Sequence, residues 1–406
     1  MSSYDNNSDK NGLLVGLIII LLCVAGFAWW YMKNMDDPAA NDVELLKEEG
    51  DIELSGTCYF YEQLSDEAKQ AYKFIYRGCM AFEEEIRIPS TSSDECNRAI
   101  YALRADHPEF FWIRSNTVSI TYINDVAVSV SCTVPSDAGK KMKRIESIAD
   151  EILKDAPKNE YDKIKYIYEY IINSTDYDLK GIDDPENQNI YRTLVDHLAV
   201  CGGYANTFLY LCDKAGIYCG YASGEVKGRG PHAWNFVKLS GKFYWVDVTW
   251  GDPVFEGSIY SEEGNGPRDN MSYDYFMVDD KEILSDRILS NSPSYSAYQP
   301  YMDFTYPKCT DASRNYYASN GCYFKGYNRL AVYDYILTQV GAFGNMKVTL
   351  KFDTTEAYRE AKSDIFDTDE FLSELANDLY DSYDVNISQQ MVRMSEDARR
   401  MVIEFS

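Results

Sequence analysis

Histidine and positive charge are scarce in this chain. Its 406 residues include 3 histidines, and 39 Lys and Arg stand against 65 Asp and Glu, which leaves a formal net charge of −26. Nucleic-acid binding needs a basic face, so this balance argues against a nucleic-acid partner. The sequence also lacks internal repeats, a phosphate-binding glycine loop, zinc-type cysteine pairs and a calcium loop. No metal or cofactor is therefore expected, and a catalytic histidine has few candidates.

One apolar run, residues 13–32, has no charged side chain and is long enough to cross a bilayer. It ends in Trp, Trp and Tyr at residues 29–31, as an interfacial aromatic belt does. A cleaved signal peptide is the alternative, with a small-x-small site at residues 26–28, but the apolar run continues through that site. We therefore predict a signal anchor, a single-pass protein of the cell membrane, and extracellular C-terminal domains.

Cys201 lies in the segment V-C-G-G-Y-A, directly before apolar residues that recur at helical spacing until Gly216. This pattern predicts a helix whose N-terminus carries the thiol, where the helix dipole and free backbone N–H groups favour a thiolate. Gly202 and Gly203 are predicted to leave room for a substrate backbone, and their N–H groups to stabilise an oxyanion.

Two runs with strand character, residues 232–239 and 242–249, flank a Ser-Gly pair that predicts a two-residue hairpin turn. This turn pairs residue 239 with residue 242. His232 and Asp247 then share one face of the hairpin as diagonal neighbours, with backbones roughly 7–8 Å apart. A slip of one residue would separate them onto opposite faces.

Cys201, His232 and Asp247 together supply a thiol nucleophile, an imidazole base and a carboxylate that orients the base. Taken singly, each is more often a packing residue, and it is their order and shared hairpin face that favour catalysis. Trp234 and Trp250 are predicted to belong to the substrate and oxyanion region. Of the other histidines, His197 is interpreted as structural or as part of the substrate rim. His107 is interpreted as a turn residue.

The stretch from Tyr161 to Pro253 resembles the transglutaminase-like superfamily, a papain-related group with Cys, His and Asp in chain order. The resemblance rests on V-C-G-G-Y-A, H-A-W-N and V-D-V-T-W-G-D-P, and on the preceding helix with T-D-Y-D after it. It implies the same roles for the three catalytic candidates, and it points to surface-anchored bacterial proteins of the Firmicutes type. Pro231 and Gly251 depart from the family's usual residues.

The predicted fold class is α+β, with a transglutaminase-like, papain-like core and small flanking α+β regions. In the first of these regions Ser65 is predicted to cap a helix, and residues 111–113, 117–123 and 126–133 are predicted as strands, with a turn at residues 124–125 between the last two. Residues 400–405 are predicted as a closing strand. The predicted segments, in chain order, are a tail (1–12), the anchor (13–32), a linker (33–56), a small α+β domain (57–135), the catalytic core with a lead-in helix (136–253), a loop-rich extension (254–330) and a small α+β region (331–406).

Ten cysteines are many. Outside the anchor and Cys201, eight remain, and an oxidising compartment would allow 105 pairings among them. Cys309 and Cys322 are the first pair to consider, whereas an anaerobic source would leave all of them as thiols.

The sequence thus predicts a membrane-anchored cysteine hydrolase or acyltransferase that acts on a peptide or protein substrate, with a cell-wall peptide as one candidate. Hydrolysis of a peptide-like amide is favoured over cross-linking, and peptidase and protein-glutamine transferase both stay open. The alternative is a catalytically silent binding or scaffold protein of the same fold at the cell surface.

Overall fold

The computed structural model describes residues 52–114, 117–252, 271–291 and 302–406, together with Asp42 and Leu45. The predicted anchor at 13–32 lies outside these residues. Within the described ranges, none of the helices has the length and apolarity that crossing a bilayer requires. The chain divides into two compact units, of which one comprises Met1–Ser55, Phe60–Arg104 and Trp112–Ala138, and the other Gly56–Tyr59, Ala105–Phe111 and Gly139–Ser406.

The first unit combines two helices with a three-stranded antiparallel sheet of order β1-β3-β2. Its elements are α1 (Asp66–Met80), β1 (Glu85–Ser92), α2 (Ser93–Asp106), β2 (Val118–Ile123) and β3 (Val126–Cys132). Ser65 caps α1, as its sequence predicts, by accepting a hydrogen bond from the backbone N–H of Ala68. Asn124 and Asp125 have φ values of 51° and 65°, which suit the tight turn predicted between β2 and β3.

One prediction for this unit is wrong, and one strand was not predicted. Residues 111–113, expected as a strand, are buried but form no strand, because short apolar runs have no distinctive period. β1 was not expected, since it contains Pro89. It lies at the sheet edge and its register shifts between Arg87 and Thr91, so the missing N–H of proline is tolerated.

The second unit is built on a five-stranded antiparallel sheet of order β10-β6-β7-β8-β9. Its strands are β6 (Cys219–Val226), β7 (Gly230–Leu239), β8 (Lys242–Val246), β9 (Phe276–Val278) and β10 (Arg287–Leu289). Helix α5 (Cys201–Lys214) packs on β6 and β7. It is preceded in the chain by helix α3 (Ala138–Lys154), helix α4 (Glu160–Ser174) and the two-residue strands β4 (Asp176–Tyr177) and β5 (Leu198–Ala199). β9 and β10 come from the segment that the sequence describes as loop-rich.

The hairpin of β7 and β8 has the predicted register. Leu239 pairs with Lys242, and the ladder continues to Asn235 and Val246. Ser240 and Gly241 both have positive φ, at 51° and 79°, which is the geometry of a type I′ turn. The second strand is shorter than predicted, since it ends at Val246 and a 3₁₀ turn covers Thr249–Gly251.

The chain ends in a helical layer on a four-stranded sheet of order β11-β12-β14-β13. The elements are α6 (Asp280–Ile283), α7 (Tyr316–Ser319), β11 (Tyr323–Phe324), α8 (Arg329–Leu337), β12 (Lys347–Phe352), α9 (Thr355–Phe366), α10 (Glu370–Tyr383), β13 (Gln390–Ser395) and β14 (Arg400–Phe405). β13 was not expected because it is an edge strand with no buried alternation. The α+β class is confirmed.

The nine cysteines that the structure describes form no disulfide with one another. Cys309 and Cys322, the first candidates for a disulfide, are both buried and unbridged. Cys58 and Cys201 are half-buried, and the other described cysteines are fully buried.

Candidate active site

The thiol of Cys201 lies at the start of α5. Val200, the residue before the helix, has an extended backbone with φ −111° and no capping side chain. The first N–H groups of the helix therefore have no side-chain partner from this residue, and the positive end of the helix dipole faces the thiol. Cys201 is half-buried, whereas the residues that follow it are buried.

His232 on β7 and Asp247, just after β8, form a buried pair. Nε2 of His232 lies 2.8 Å from Oδ2 of Asp247. His232 is 5% exposed and Asp247 is fully buried. The register of the hairpin brings these side chains to one face of the sheet, and the end of β8 at Val246 leaves the carboxylate beside the ring.

The thiol of Cys201 acts on the same ring, since its hydrogen bonding and its charge both raise the pKa of His232. Because Nε2 faces Asp247, Nδ1 is the ring nitrogen left for the thiol. Burial lowers the pKa of His232, but Asp247 and Cys201 outweigh burial and raise it to about 9. Burial likewise opposes the charged form of Asp247, yet His232 and Arg287 hold the pKa of that carboxyl below its usual range.

Arg287 on β10 is a member of the site that the sequence did not indicate. Its Nη2 donates to Oδ2 of Asp247 at 2.7 Å, and its Nη1 donates to Asp286 at 2.6 Å. The guanidinium is buried, with its central carbon 3.8 Å from the ring centre of Tyr275. Asp247 thus accepts from a cation and an imidazole on one oxygen, while Oδ1 accepts the backbone N–H of Trp250 at 3.1 Å.

Asn235 links the helix of Cys201 to the strand of His232. Its side-chain Nδ2 donates to the carbonyl of Ala205 at 3.0 Å and to that of Gly220 at 3.3 Å. Asn235 lies in the H-A-W-N motif, three residues after His232. This fixed contact between α5 and β7 holds the thiol and the imidazole in one arrangement.

The two tryptophans of the predicted substrate region contact His232 with different ring geometries. Trp234 is fully buried and stacks with the imidazole at a centroid distance of 5.8 Å. It therefore supports the ring from within the core and offers no surface to a substrate. Trp250 meets His232 edge to face at 6.3 Å and retains slight exposure, so it can form part of the rim.

Gly202 and Gly203 are buried, and the space that a side chain would fill is taken by the protein itself. A Cβ on Gly202 would overlap the side-chain oxygen of Gln188, and a Cβ on Gly203 would lie 2.6 Å from the carbonyl of Asn187. The expected room for a substrate backbone is therefore occupied by the turn Pro185–Gln188. Their role as oxyanion donors stays a prediction.

Tyr177 on β4 is a second neighbour of Cys201 that the sequence did not single out. Its hydroxyl is in hydrogen-bond contact with the backbone of Cys201. Burial raises the pKa of Tyr177, and the thiol of Cys201 raises it further. The parallel pairing of Tyr177 with Ala199 brings the phenol to the start of α5. The T-D-Y-D motif was the available signal.

The departures at Pro231 and Gly251 differ in their surroundings. Pro231 is exposed on β7. Gly251 is buried, and a Cβ there would overlap the hydroxyl of Tyr168, which donates to the carbonyl of Ser272 at 2.6 Å. A larger residue is therefore excluded at 251 by the packing of α4.

The other two histidines do not join this site. His197 is exposed with φ 58°, and its carbonyl accepts the N–H of Asp176 at 2.8 Å. His107 lies in a turn after α2, as expected, but it is buried and contacts Cys58 and Glu109.

Residues 146–249 match the family model of the transglutaminase-like superfamily, and this range includes Cys201, His232 and Asp247. The chain contains a transglutaminase-like core. Kyphoscoliosis peptidase of Mus musculus and of Homo sapiens each share 28% identity with it over 125 residues. The aligned stretch covers 28% of this chain and 19% of each relative.

Two solved structures are also similar to part of this chain. A transglutaminase crystal structure shows 17% identity, covers 38% of this chain and 48% of its own, and has a TM-score of 0.25. A candidate cysteine protease from Cytophaga hutchinsonii shows 16% identity, covers 34% of this chain and 63% of its own, and has a TM-score of 0.24.

Proposed function

We propose that this chain is a thiol enzyme that acts on peptide-like amides, with Cys201 as nucleophile, His232 as base and Asp247 as the residue that orients the base. The observation that carries the proposal is the 2.8 Å contact of His232 with Asp247, on a ring whose pKa the thiol of Cys201 also raises. A nucleophile, a base and an orienting carboxylate in one hydrogen-bonded series are the groups that acyl transfer requires.

In the proposed reaction His232 accepts the thiol proton, and the sulfur attacks the amide carbonyl carbon. The tetrahedral oxyanion forms at the start of α5, where the N–H groups of Gly202 and Gly203 are the proposed donors. His232 then protonates the leaving amine, and a thioester on Cys201 remains. A second nucleophile attacks the thioester, with His232 again as base, and restores the thiol.

We propose water as that second nucleophile, so the net reaction is hydrolysis. Favouring an amine over water at roughly 55 M would need a pocket that binds the amine and excludes water. Trp234 is buried in the core and cannot line such a pocket. The matched mouse and human relatives are named as peptidases, which agrees with this choice.

The activity test is a screen of peptides and cell-wall fragments with the native chain and with Cys201→Ala. Cys212→Ala is the matched control, since Cys212 lies on the buried face of the same helix. Turnover by the native chain and the control, with none by Cys201→Ala, supports the proposal. His232→Ala is compared with His197→Asn, because His197 is exposed and outside the site.

Two other outcomes would decide against parts of the proposal. Tight binding of a fragment without turnover in any variant would favour the silent binding protein. Supplying excess primary amine with a working acyl donor tests the acceptor by mass spectrometry. Mostly amine adduct at modest amine concentration would replace hydrolysis by cross-linking and leave the role of Cys201 intact.

We further propose that the reaction takes place at the cell surface, with residues 13–32 as the membrane anchor. Protease added to intact cells should digest the part of the chain beyond the anchor. Full protection would contradict this orientation, and a mature N-terminus near residue 29 would indicate cleavage instead.

A further inference from the structure

A second thiol, Cys58, lies against an imidazole and a carboxylate of its own. Its Sγ is 3.8 Å from Nε2 of His107, and Nδ1 of His107 is 3.0 Å from Oε1 of Glu109. His107 is 2% exposed and Glu109 is 17% exposed in its side chain, while Cys58 is half-buried. The set repeats the chemistry of the candidate active site with different residues, and nothing in the proposed acyl transfer uses it.

The segment that carries Cys58 is held in place by contacts within the second unit. The N–H of Thr57 donates to Oδ1 of Asp213 at 3.1 Å, and the Tyr59 hydroxyl donates to the carbonyl of Thr305 at 3.1 Å. On the other side, the carbonyl of His107 accepts the N–H of Phe110 at 3.2 Å. Because the backbone is held on both sides, the contact between the Cys58 thiol and the His107 imidazole is part of the folded structure.

The charges around His107 favour its protonated form. Burial lowers its pKa, but Glu109 and Cys58 outweigh burial and raise the pKa well above its usual value. Asp213 is a second carboxyl in the same surroundings. Burial raises the pKa of Asp213 to about 6, hydrogen bonds from Thr57 lower it, Glu109 raises it and His107 lowers it. A protonated imidazole beside a thiol stabilises the thiolate.

The remaining described cysteines differ from Cys58 in their burial. Apart from Cys58 and Cys201 they are buried, and burial raises the pKa of Cys96 to about 12 and those of Cys132 and Cys322 to about 11. Within the described residues, no set of three His, Cys, Asp or Glu side chains is arranged to hold a metal ion.

Acyl transfer is the less suitable chemistry for Cys58. The residue lies in irregular backbone and not at a helix start, so no series of free helical N–H groups faces it to stabilise an oxyanion. Attack on the sulfur of a disulfide needs only a thiolate, a suitable leaving thiol and access.

We propose that Cys58 is a second reactive thiol, which undergoes exchange with low-molecular-weight disulfides and is thereby S-thiolated. The thiol proton passes to His107, and the Cys58 sulfur attacks one sulfur of R–S–S–R. The S–S bond of the reagent breaks, a Cys58–S–S–R bond forms, and the leaving RS⁻ takes the proton from His107 as RSH. This site is independent of the proposed activity at Cys201.

The test uses the full chain with Cys201→Ser, so that the first thiol is silent, and bis(2-hydroxyethyl) disulfide as the probe. Peptide mapping after timed quenching should find the first adduct on Cys58, formed at least about tenfold faster than on any buried cysteine. In this background His107→Gln should slow the Cys58 adduct by about tenfold, and Glu109→Gln by a smaller factor. His197→Asn is the matched histidine control and should leave the rate unchanged.

Circular dichroism and thermal melting establish that each variant is folded. If His107→Gln does not fold, Glu109→Gln decides, because it keeps the imidazole and removes the charge next to it. A first adduct on another cysteine would overturn the proposal. An unchanged rate of adduct formation at Cys58 in folded His107→Gln would also overturn it, because a merely structural histidine would leave the reactivity of the thiol as it was. If His107→Gln does not fold, an unchanged rate in Glu109→Gln has the same meaning.

Discussion

Replacing Asp247 by Asn should change the proton affinity of His232 more than any other single substitution. The variant removes the negative charge that counteracts the effect of burial on the pKa of His232. It keeps an oxygen acceptor of the same size. Burial then lowers the pKa of His232 against Cys201 alone, and the guanidinium of Arg287, no longer neutralised by Asp247, repels a proton on the ring. We expect the pKa of His232 to fall from about 9 to 6.5 or below.

The magnitude follows from the same values. A rise in the pKa of His232 from 6.5 to about 9 corresponds to about 3 kcal/mol of preference for the protonated ring in the folded state. Because the folded pKa is above the unfolded one, this stabilisation is fully present below pH 6.5. It is lost as the pH rises through about 9. The Asn variant should lack this pH-dependent contribution.

The assay is NMR of the full chain with isotopically labelled histidine rings, since 3 histidines yield few signals to assign. Single substitutions of His107 and His197 identify their resonances and leave that of His232. Asp286→Asn is the matched control, because it removes the other carboxylate bound to Arg287 and leaves Asp247 in place. In this control the pKa of His232 should stay near 9.

Two results would refute the reasoning. A native His232 that titrates near 6.5 would show that burial outweighs the carboxylate. A pKa that stays near 9 in a folded Asp247→Asn chain would show that Asp247 is not the cause of the rise. Either result would also remove the basis for the orienting role of Asp247.

Three further predictions concern the same unit. Near neutral pH, Cys201 should react with a limiting alkylating agent before the seven buried described cysteines, and His232→Ala should slow its labelling; protection of Cys201 would contradict this. Arg287→Met should lower the free energy of unfolding in urea by about 3 kcal/mol, because it leaves a buried carboxylate without its cation, and a negligible change would argue against the pair. Gly251→Asn should lower the melting temperature, at a cost of about 1–3 kcal/mol, through overlap with Tyr168. Tyr168→Phe in the same chain should restore part of the lost stability. If it does not, overlap with the Tyr168 hydroxyl is not the cause of the loss.

Local patterns predicted the parts of the fold that local chemistry specifies. The apolar spacing after Cys201 and the positive φ of Gly216 bound α5 as expected. The Ser240-Gly241 turn set the register of the hairpin, and β14 spans Arg400–Phe405 as predicted. In each case the signal and the structure it specifies lie within a few residues of each other.

Four edge strands, β1, β9, β10 and β13, were not predicted, because none of them has a long, uninterrupted strand pattern with a clear buried face. β1 contains Pro89, β13 is exposed, and β9 and β10 have three residues each. β1, β9 and β10 each pair with a strand that is distant in the chain, so no short pattern specifies their strand conformation.

The sequence by itself determined that a thiol starts a helix and that His232 and Asp247 share one face of a hairpin, because turn and helix geometry are local. Only the tertiary structure decided that Arg287, 40 residues beyond Asp247, binds the same carboxylate. It also decided that Trp234 is buried beneath the imidazole and that Cys58 meets His107. The contacts of Arg287 and of Cys58 join segments far apart in sequence, and the energies of all three arise from burial and charge, which exist only when the chain has folded.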